Sequence, residues 1–190
     1  MKKVRMLKAV LMVVALLLPL TALARGIDPV VSTDWLQKNL KNQKLVIVDL
    51  RKVEEYKVSH IPGAVNVFYG SWAIKAGNLL NELPAVDDLT DVISDAGIDK
   101  DNLVVLVGKT EKIPDQFDMT RVAWTLKYMG IPDVAILGGG HTQWAKEGKP
   151  LSQEAVKAKP KSFKASVNKG LFVDKAYVLG KLGKAQIVDT

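Results

Sequence analysis

Three short, continuous apolar runs recur along this chain, and helical spacing of apolar residues follows each of them. The runs are Leu45–Val48, Leu103–Val107 and Val134–Leu137. Uninterrupted β-branched and leucine residues, without polar alternation, are typical of strands that are covered on both faces. Buried strands that alternate with helices indicate a parallel sheet with crossover helices. We therefore predict an α/β domain built on an open parallel sheet flanked by helices.

Helical spacing fills much of the chain between and around these runs. Helices are predicted over residues 34–40, 86–98, 117–129 and 141–147. Ser32 or Thr33 can cap the first of them. The polar residues between Asp49 and His60 predict a turn, and residues 108–116 predict a long polar loop after the second apolar run. Ligands of such sheets bind beyond the carboxyl ends of the strands, so this loop is the first candidate for a site.

The first 24 residues have the layout of a secretory signal peptide. Basic residues precede an apolar run from Ala9 to Leu20, and small residues lead to a cleavage site after Ala24. The alternative is a retained membrane helix, but the stretch from Ala9 to Ala24 has 16 residues, fewer than the roughly 20 that span a bilayer. We therefore predict residues 1–24 as a signal peptide. The mature protein would be periplasmic or secreted, without membrane contact after cleavage.

The chain contains no cysteine. This excludes a thiolate nucleophile, a disulfide, a cysteine-based metal site and a cysteine that could carry a lipid anchor. The two histidines, His60 and His141, lie far apart in the sequence. A histidine metal cluster is therefore not expected, and no cofactor or metal is predicted.

Positive charge is concentrated at the two ends of the chain. The formal net charge is +7; residues 1–24 contribute +4 and residues 146–190 contribute +6, which leaves −3 on the region between them. The basic C-terminal region contains lysine but no arginine and few aromatic residues, so no nucleic-acid partner is predicted. We interpret residues 153–170 as a solvated, Lys-rich linker.

Residues 171–190 are similar to the start of the domain. Val173 and Asp189, which are 16 residues apart, flank a weak helical pattern. Val31 and Asp49, which are 18 residues apart, flank the first predicted helix in the same way. This similarity predicts that a truncated second copy of the fold begins near residue 171 and reaches an apolar strand. Chance similarity over so short a segment is the alternative.

Several segments, taken in order, resemble the rhodanese-like sulfurtransferase family. They are Val46–Arg51, Glu54–Tyr56, His60–Asn66, Leu103–Val107, Arg121–Leu126, Gly130 and Val134–Gly140 with Trp144. The resemblance implies a rhodanese-like open parallel sheet over residues 25–152. The matching motif residues are expected to have structural roles: Asp49, Arg51, His60, Pro62, Gly63, Arg121, Gly139 and Trp144.

The resemblance also locates the family's chemistry. In that family a cysteine after the strand corresponding to Leu103–Val107 takes sulfur from a donor and forms a persulfide. Gly108 stands near that place here, and a hydroxyl such as that of Thr110 cannot carry a persulfide. The domain is therefore expected to be of an inactive type. The candidate loop consists of Gly108, Lys109, Thr110, Glu111 and Lys112.

The repeat and the resemblance together predict a tandem arrangement. The chain would be the non-catalytic N-terminal half of an exported sulfurtransferase that uses thiosulfate or 3-mercaptopyruvate and a thiophilic acceptor, with its cysteine beyond Thr190. Its partners would be the second rhodanese-like domain and a small sulfur-containing anion. The alternative is a stand-alone, cysteine-free binding or regulatory module for an anion or a protein.

Overall fold

The computed structural model describes residues 26–188, so the predicted signal peptide and the last two residues lie outside the described residues. The main sheet contains β1 (Val30–Val31), β2 (Leu45–Asp49), β3 (Val65–Asn66), β6 (Leu103–Val107) and β7 (Val134–Leu137). Its strands are all parallel, in the order β1-β7-β6-β2-β3. A separate antiparallel hairpin consists of β4 (Ile74–Ala76) and β5 (Leu79–Glu82).

Two layers of helices cover the sheet, and the predicted α/β architecture is confirmed. The helices of residues 26–188 are α1 (Thr33–Asn39), α2 (Val53–Val58), α3 (Val86–Asp95), α4 (Ile113–Tyr128), α5 (Gly140–Lys146) and α6 (Lys175–Lys181). Val104 and Leu106 of β6 pack with α3 and α4, whereas Val105 and Val107 pack with α1, α2 and α5. The central runs are apolar throughout because both of their faces are buried.

The polar segment after β2 forms a helix rather than the predicted turn. Tyr56 of α2 is buried against the sheet, and its hydroxyl donates to the Ala64 carbonyl at 2.6 Å. Glu55 accepts a hydrogen bond from the Lys52 amide at the start of the helix. These contacts stabilise a helix that is too short to be marked by apolar periodicity.

Helix α4 begins earlier than predicted. It starts at Ile113 instead of Phe117, because Asp115 accepts a hydrogen bond from the Lys112 amide and caps the first turn. The predicted long loop over residues 108–116 is therefore wrong in its length. Residues 108–112 alone connect β6 to α4.

The segment interpreted as a Lys-rich linker, residues 153–170, is packed on the domain. Phe163 is buried in the core beneath α3 and α4. The backbone amide of Lys161 donates to Ser94 O at 2.9 Å, and that of Ser166 donates to Met129 O at 3.0 Å. These contacts lie near the amino ends of the strands, away from the candidate loop.

The last described residues, 173–188, are largely exposed. Helix α6 lies here, but residues 186–188 do not form the predicted strand, and Ile187 and Val188 are exposed. A strand needs a neighbour for its backbone hydrogen bonds. Residues 186–188 pair with none of the strands described above.

Candidate functional site

A cleft of about 140 Å³ opens where the carboxyl ends of β2 and β6 meet. Gly108 and Lys109 of the candidate loop form one side of it, and residues that follow β2 and β3 or begin α4 form the rest. The charged lining is mixed in sign: Arg51, Lys52, Glu55, Lys109, Asp115 and Asp118. Leu50 and Phe68 contribute apolar surface.

Gly108, the first residue of the loop, faces the side chain of Met119. A β-carbon placed on residue 108 would lie 2.9 Å from Cγ and 3.1 Å from Sδ of Met119. Met119 belongs to α4 and is buried in the core. Contacts this short would force Met119 to move. The thioether of Met119 therefore occupies space that any side chain at residue 108 would need.

Contacts with the turn between β7 and α5 hold the candidate loop in place. Gly108 O accepts a hydrogen bond from His141 N at 2.9 Å, and Thr110 Oγ1 donates to Gly139 O at 3.0 Å. Gly139 and Gly140 have φ values of +73° and +55°, which favour glycine. A β-carbon on Gly140 would overlap the Gly108 carbonyl oxygen. The glycines allow this close approach of two backbones, and the Thr110 hydroxyl is occupied.

Asp49 and Arg51 form a buried, bidentate ion pair at the end of β2. Arg51 Nη2 lies 2.6 Å from Asp49 Oδ2, and Arg51 Nε lies 3.0 Å from Asp49 Oδ1. Arg51 Nη2 also donates to Ser59 O at 2.8 Å, while Asn66 Nδ2 donates to the carbonyl oxygens of both members of the pair. These bonds shape one wall of the cleft. The guanidinium charge is directed to Asp49 rather than toward a ligand.

Lys109 of the loop forms an ion pair with Glu55 of α2 beside the cleft. The hydrogen bond from Lys109 to Glu55 raises the pKa of the lysine. Partial burial acts to raise the pKa of Glu55, but the hydrogen bond and charge of Lys109, with smaller contributions, lower it overall. Both groups are therefore charged near neutral pH, and the lysine neutralises the protein's own carboxylate.

Two carboxylates of α4 make the rest of the cleft wall acidic. Asp115 accepts the hydrogen bond of the Lys112 amide at 3.0 Å. Burial, and secondarily the charge of Asp115, raises the pKa of Asp118. A small anion placed beside these groups would meet repulsion. Asp49 pairs with Arg51, and Glu55 pairs with Lys109. The cleft therefore has no excess of positive charge.

His60 lies behind the cleft wall, where it joins α2 to the chain near residue 154. Its Nδ1 is 2.9 Å from Tyr56 O and its Nε2 is 3.0 Å from Glu154 O, and its ring stacks on that of Tyr56 at 3.8 Å. Pro62 and Gly63 form the next turn, with Gly63 at a φ of +81°. Both ring nitrogens of His60 thus contact main-chain oxygens, and this histidine is a structural element of the fold.

The structure places two further motif residues outside the cleft. Trp144 is buried and donates Nε1 to Pro150 O at 2.8 Å. Arg121 donates Nη2 to Asn81 O at 2.7 Å, and its guanidinium lies 5.3 Å from the ring centre of Trp124. Arg121 therefore joins α4 to the β4–β5 hairpin instead of facing the candidate loop.

The cleft contains no group that can carry sulfur covalently. The chain has no cysteine, and the loop hydroxyl of Thr110 already donates to a carbonyl. In the part of the chain from residue 26 to residue 188, no three His, Cys, Asp or Glu side chains are grouped so that they could hold a metal ion. None of the helices in this part is long and apolar enough to cross a membrane.

Residues 32–147 match the family model of the rhodanese-like domain. The chain belongs to the rhodanese-like family. The match includes the strands from β2 to β7, the cleft and the glycine turn before α5. The family resemblance inferred from the sequence motifs is thereby confirmed, as is the cysteine-free character of this rhodanese-like domain.

Rhodanese-like sulfurtransferases are similar to this chain over most of its length. The thiosulfate sulfurtransferase of Bos taurus is 29% identical in an alignment 174 residues long, and the match covers 84% of this chain and 58% of the bovine protein. The 3-mercaptopyruvate sulfurtransferase of Escherichia coli is 26% identical in an alignment 171 residues long, and the match covers 84% of this chain and 59% of that protein. This chain therefore spans little more than half the length of these relatives.

A solved rhodanese structure supports the same fold. The crystal structure of the 3-mercaptopyruvate sulfotransferase from Escherichia coli matches with a TM-score of 0.70 at 25% identity. The match covers 83% of this chain and 63% of that chain.

Sequence reasoning located the rhodanese loop but missed most of the residues around it. Phe68, Lys52 and Asp118 line the cleft but belong to segments that carried no family motif in the sequence. These three residues follow a predicted strand or lie at the start of a predicted helix. Because ligands bind beyond the carboxyl ends of the strands, that position could have marked them as candidates for the site. Of the residues in the family-motif segments, Leu50, Arg51 and Glu55 line the cleft beside the loop residues Gly108 and Lys109.

Proposed function

We propose that this chain is the non-catalytic, N-terminal half of an exported tandem sulfurtransferase of the rhodanese-like family. A second rhodanese-like domain continues beyond Thr190 and carries the nucleophilic cysteine. That domain transfers sulfur from thiosulfate or 3-mercaptopyruvate to a thiophilic acceptor. The first domain supports it structurally, and the predicted signal peptide directs both domains out of the cytoplasm.

A structural repeat between α1 and α6 is the observation that carries this proposal. Ser32 caps α1 by accepting a hydrogen bond from Trp35 N at 3.1 Å. Asp174 caps α6 by accepting one from Tyr177 N at 2.7 Å. In both cases the side-chain oxygen of the capping residue accepts a hydrogen bond from the backbone amide three residues further along the chain. Both helices have seven residues. The similar local structure at the starts of α1 and α6 supports the proposal that a second copy of the fold begins at residue 171.

The residues at and before α1 differ in burial from the corresponding residues at and before α6. Val31, which precedes the cap of α1, is 4% exposed, whereas the corresponding Val173 is 46% exposed. Leu36 of α1 is fully buried against the sheet, and the corresponding Val178 of α6 is only partly covered. The exposure of α6 and of Val173 is what the proposal expects of a first helix whose sheet lies in the rest of a second domain. A second rhodanese-like domain would supply that sheet.

The lengths of the relatives are consistent with two domains. The matches to the bovine and Escherichia coli sulfurtransferases leave about two fifths of each of those proteins outside the aligned part. Such a remainder is of the size of a further domain. In the proposed protein the sulfur-containing anion is bound by that further domain, because the cleft of the first domain has neither a nucleophile nor an excess of positive charge.

The test is to sequence the native reading frame past Thr190 and to assay its complete product for sulfur transfer from thiosulfate and from 3-mercaptopyruvate to cyanide. The proposal predicts a second domain with one essential cysteine, whose replacement by serine abolishes the transfer. A stop codon directly after Thr190 would contradict the proposal. The stand-alone binding module would then be the better account of this rhodanese-like domain.

A further inference from the structure

The segment from residue 156 to residue 165 alternates between side chains that pack on the domain and side chains that face solvent. Those packed against the core are Val156, Ala158, Phe163 and Ala165. The exposed side chains between them include Lys157, Lys159 and Lys164. A period of two is typical of an extended backbone, in which successive side chains point to opposite sides. We call these three lysines the lysine row.

Hydrogen bonds to two helices fix the backbone that carries the lysine row. The amide of Lys161 donates to Ser94 O at 2.9 Å, and the amide of Phe163 donates to Ser94 Oγ at 3.4 Å. The amide of Ser166 donates to Met129 O at 3.0 Å. A segment that is ordered before a ligand arrives loses less conformational freedom on binding than a flexible chain does. The lysine row is therefore preorganised, unlike a run of lysines in a mobile linker.

The positive charge of the lysine row is not neutralised by ion pairs. Lys161, which lies between members of the row, pairs with Asp99 at 2.7 Å. Within residues 26–188, no ion pair joins a lysine of the row to a carboxylate. Residues 153–170 contain five lysines and one glutamate, which leaves a net charge of +4. The segment thus concentrates positive charge, whereas the cleft at the carboxyl ends of the strands has no excess of it.

The surroundings of the lysine row restrict the kind of anion that it fits. Phe163, the aromatic residue of the segment, is buried, so no ring is available to stack on a base. Asp95 of α3 is exposed and lines the same groove as Lys157, and Asp91 is exposed one turn earlier on α3. A broad anionic surface would meet these carboxylates and be repelled. A single anionic chain can follow the lysines without covering α3.

We propose that the lysine row binds a linear acidic polysaccharide. Lys157 and Lys159 are about 7 Å apart along an extended backbone, so neighbouring lysines act on separate charged groups of a polymer rather than on one small anion. Lysine provides point charges of this kind, without the planar fork by which arginine binds a single phosphate or carboxylate. This activity goes beyond the proposed sulfur transfer and does not require a second domain.

Heparin, a linear polymer of acidic sugars, is the probe that tests this inference. Its affinity for the unsubstituted 190-residue chain is compared with its affinity for a row variant that carries Lys157→Gln, Lys159→Gln and Lys164→Gln. Each titration is carried out at low and at physiological ionic strength. Urea denaturation of the same samples verifies that the substitutions leave the domain folded.

The matched control removes the same charge from the other side of the molecule. It carries Lys38→Gln, Lys57→Gln and Lys146→Gln, which replace exposed lysines of α1, α2 and α5. These helices cover the face of the sheet opposite to the one on which the lysine row is packed. Both variants keep the basic residues that precede residue 25, so any contribution of those residues to binding is the same in both.

The inference predicts that the row variant binds heparin at least about tenfold more weakly at low ionic strength, while the control stays within about twofold of the unsubstituted chain. Added salt should weaken the binding of the unsubstituted chain. Equal losses in the two variants, or no binding by the unsubstituted chain, would overturn the inference. Tighter binding to phosphatidylglycerol vesicles than to heparin, at equal concentrations of negative charge, would overturn it in favour of a membrane surface.

Discussion

Asp49 and Arg51 bring opposite charges into an otherwise apolar interior. Each is buried, and the carboxylate and guanidinium satisfy one another with two parallel hydrogen bonds. Asn66 then uses its amide to hold the backbone of both residues. The pair therefore sets the path of the chain from β2 to α2. Its residues belong to the family motif for a structural reason rather than a catalytic one.

Arg51→Ala should destabilise the domain by about 3–5 kcal/mol, because it leaves the buried Asp49 carboxylate without a counter-charge and with only the hydrogen bond from the backbone amide of residue 51. Urea denaturation measures this as a change in the free energy of unfolding. Lys109→Ala is the control: it breaks the partly exposed pair with Glu55, and it should cost about 1 kcal/mol or less. Equal costs for the two substitutions would contradict the structural role given to Arg51.

His141 makes the stability of the domain depend on pH. Burial, and secondarily the charge of Arg51, lowers the pKa of this imidazole in the folded protein. Below the ordinary histidine pKa of about 6.5 the unfolded chain binds a proton that the folded protein does not. The contribution of His141 is therefore complete above that pH and is lost as the pH falls through the folded-state pKa.

His141→Gln should accordingly flatten the decline in unfolding free energy between about pH 7 and pH 5. The measurement is a series of urea denaturation curves at closely spaced pH values for both proteins. Parallel pH profiles for the two proteins would show that the folded environment of His141 does not disfavour its charge.

At the scale of elements, the connection after β6 and the turn before α5 form one unit. The Gly108 carbonyl lies against Gly140 so closely that a β-carbon there would overlap it. The Thr110 hydroxyl and the His141 amide add hydrogen bonds across the same junction. Backbone contacts thus hold the loop in place, while a side chain at its first residue would have to displace the Met119 side chain.

Gly140→Ala should cost about 2–4 kcal/mol, since it adds a steric overlap to the strain of a positive φ. Gly148→Ala is the matched control. Gly148 has a φ of +66° against +55° for Gly140, but nothing lies within 4 Å of its added β-carbon, so about 1 kcal/mol is expected. Thermal or urea denaturation measures the loss of unfolding free energy in each of the two variants. Similar costs would mean that the close approach of Gly140 and Gly108 does not matter for stability.

Phe163 anchors the segment that runs along the amino ends of the strands. Phe163→Ala should lower the free energy of unfolding by about 3 kcal/mol, because it empties a buried site.

Deleting residues 173–190 should change the free energy of unfolding by about 0.5 kcal/mol or less, since the described part of this region is mostly exposed. The two variants are compared by urea denaturation. A deletion that unfolds the domain would place its boundary beyond residue 172.

The elements that the sequence predicted are those with a local signal. Strands β2, β6 and β7 are apolar throughout because they lie in the middle of a covered sheet, and that pattern is visible without any knowledge of neighbours. Helix α2 and the β4–β5 hairpin have no such signal. They depend on tertiary contacts, such as the bond from Tyr56 to Ala64 O and that from Arg121 to Asn81 O.

The candidate site was predictable to a smaller extent. The family motif marked Gly108 and the loop after it, because the residues are contiguous in the sequence. Asp118 and Phe68 reach the same cleft from segments about 50 residues apart. The start of α4 was misplaced for a related reason: its first turn depends on the cap from Asp115 and precedes the apolar periodicity of the helix.

At the scale of the whole molecule, residues 26–188 form a rhodanese-like sheet that is followed by a largely exposed helix. The cleft at the family's catalytic position retains the strand ends and the glycine turn. It has a glycine where sulfur chemistry needs a thiol, with Met119 in the adjoining space. Without a thiol, this cleft cannot itself form a persulfide.

Intact-mass spectrometry after incubation with thiosulfate or 3-mercaptopyruvate, together with a cyanide-acceptor assay of the same sample, tests the central claim most directly. The purified 190-residue chain should gain no sulfur and produce no thiocyanate, because it has no thiol to carry a persulfide. A stable gain of one sulfur atom, or thiocyanate formed in proportion to the protein concentration, would contradict the account of a non-catalytic rhodanese-like domain.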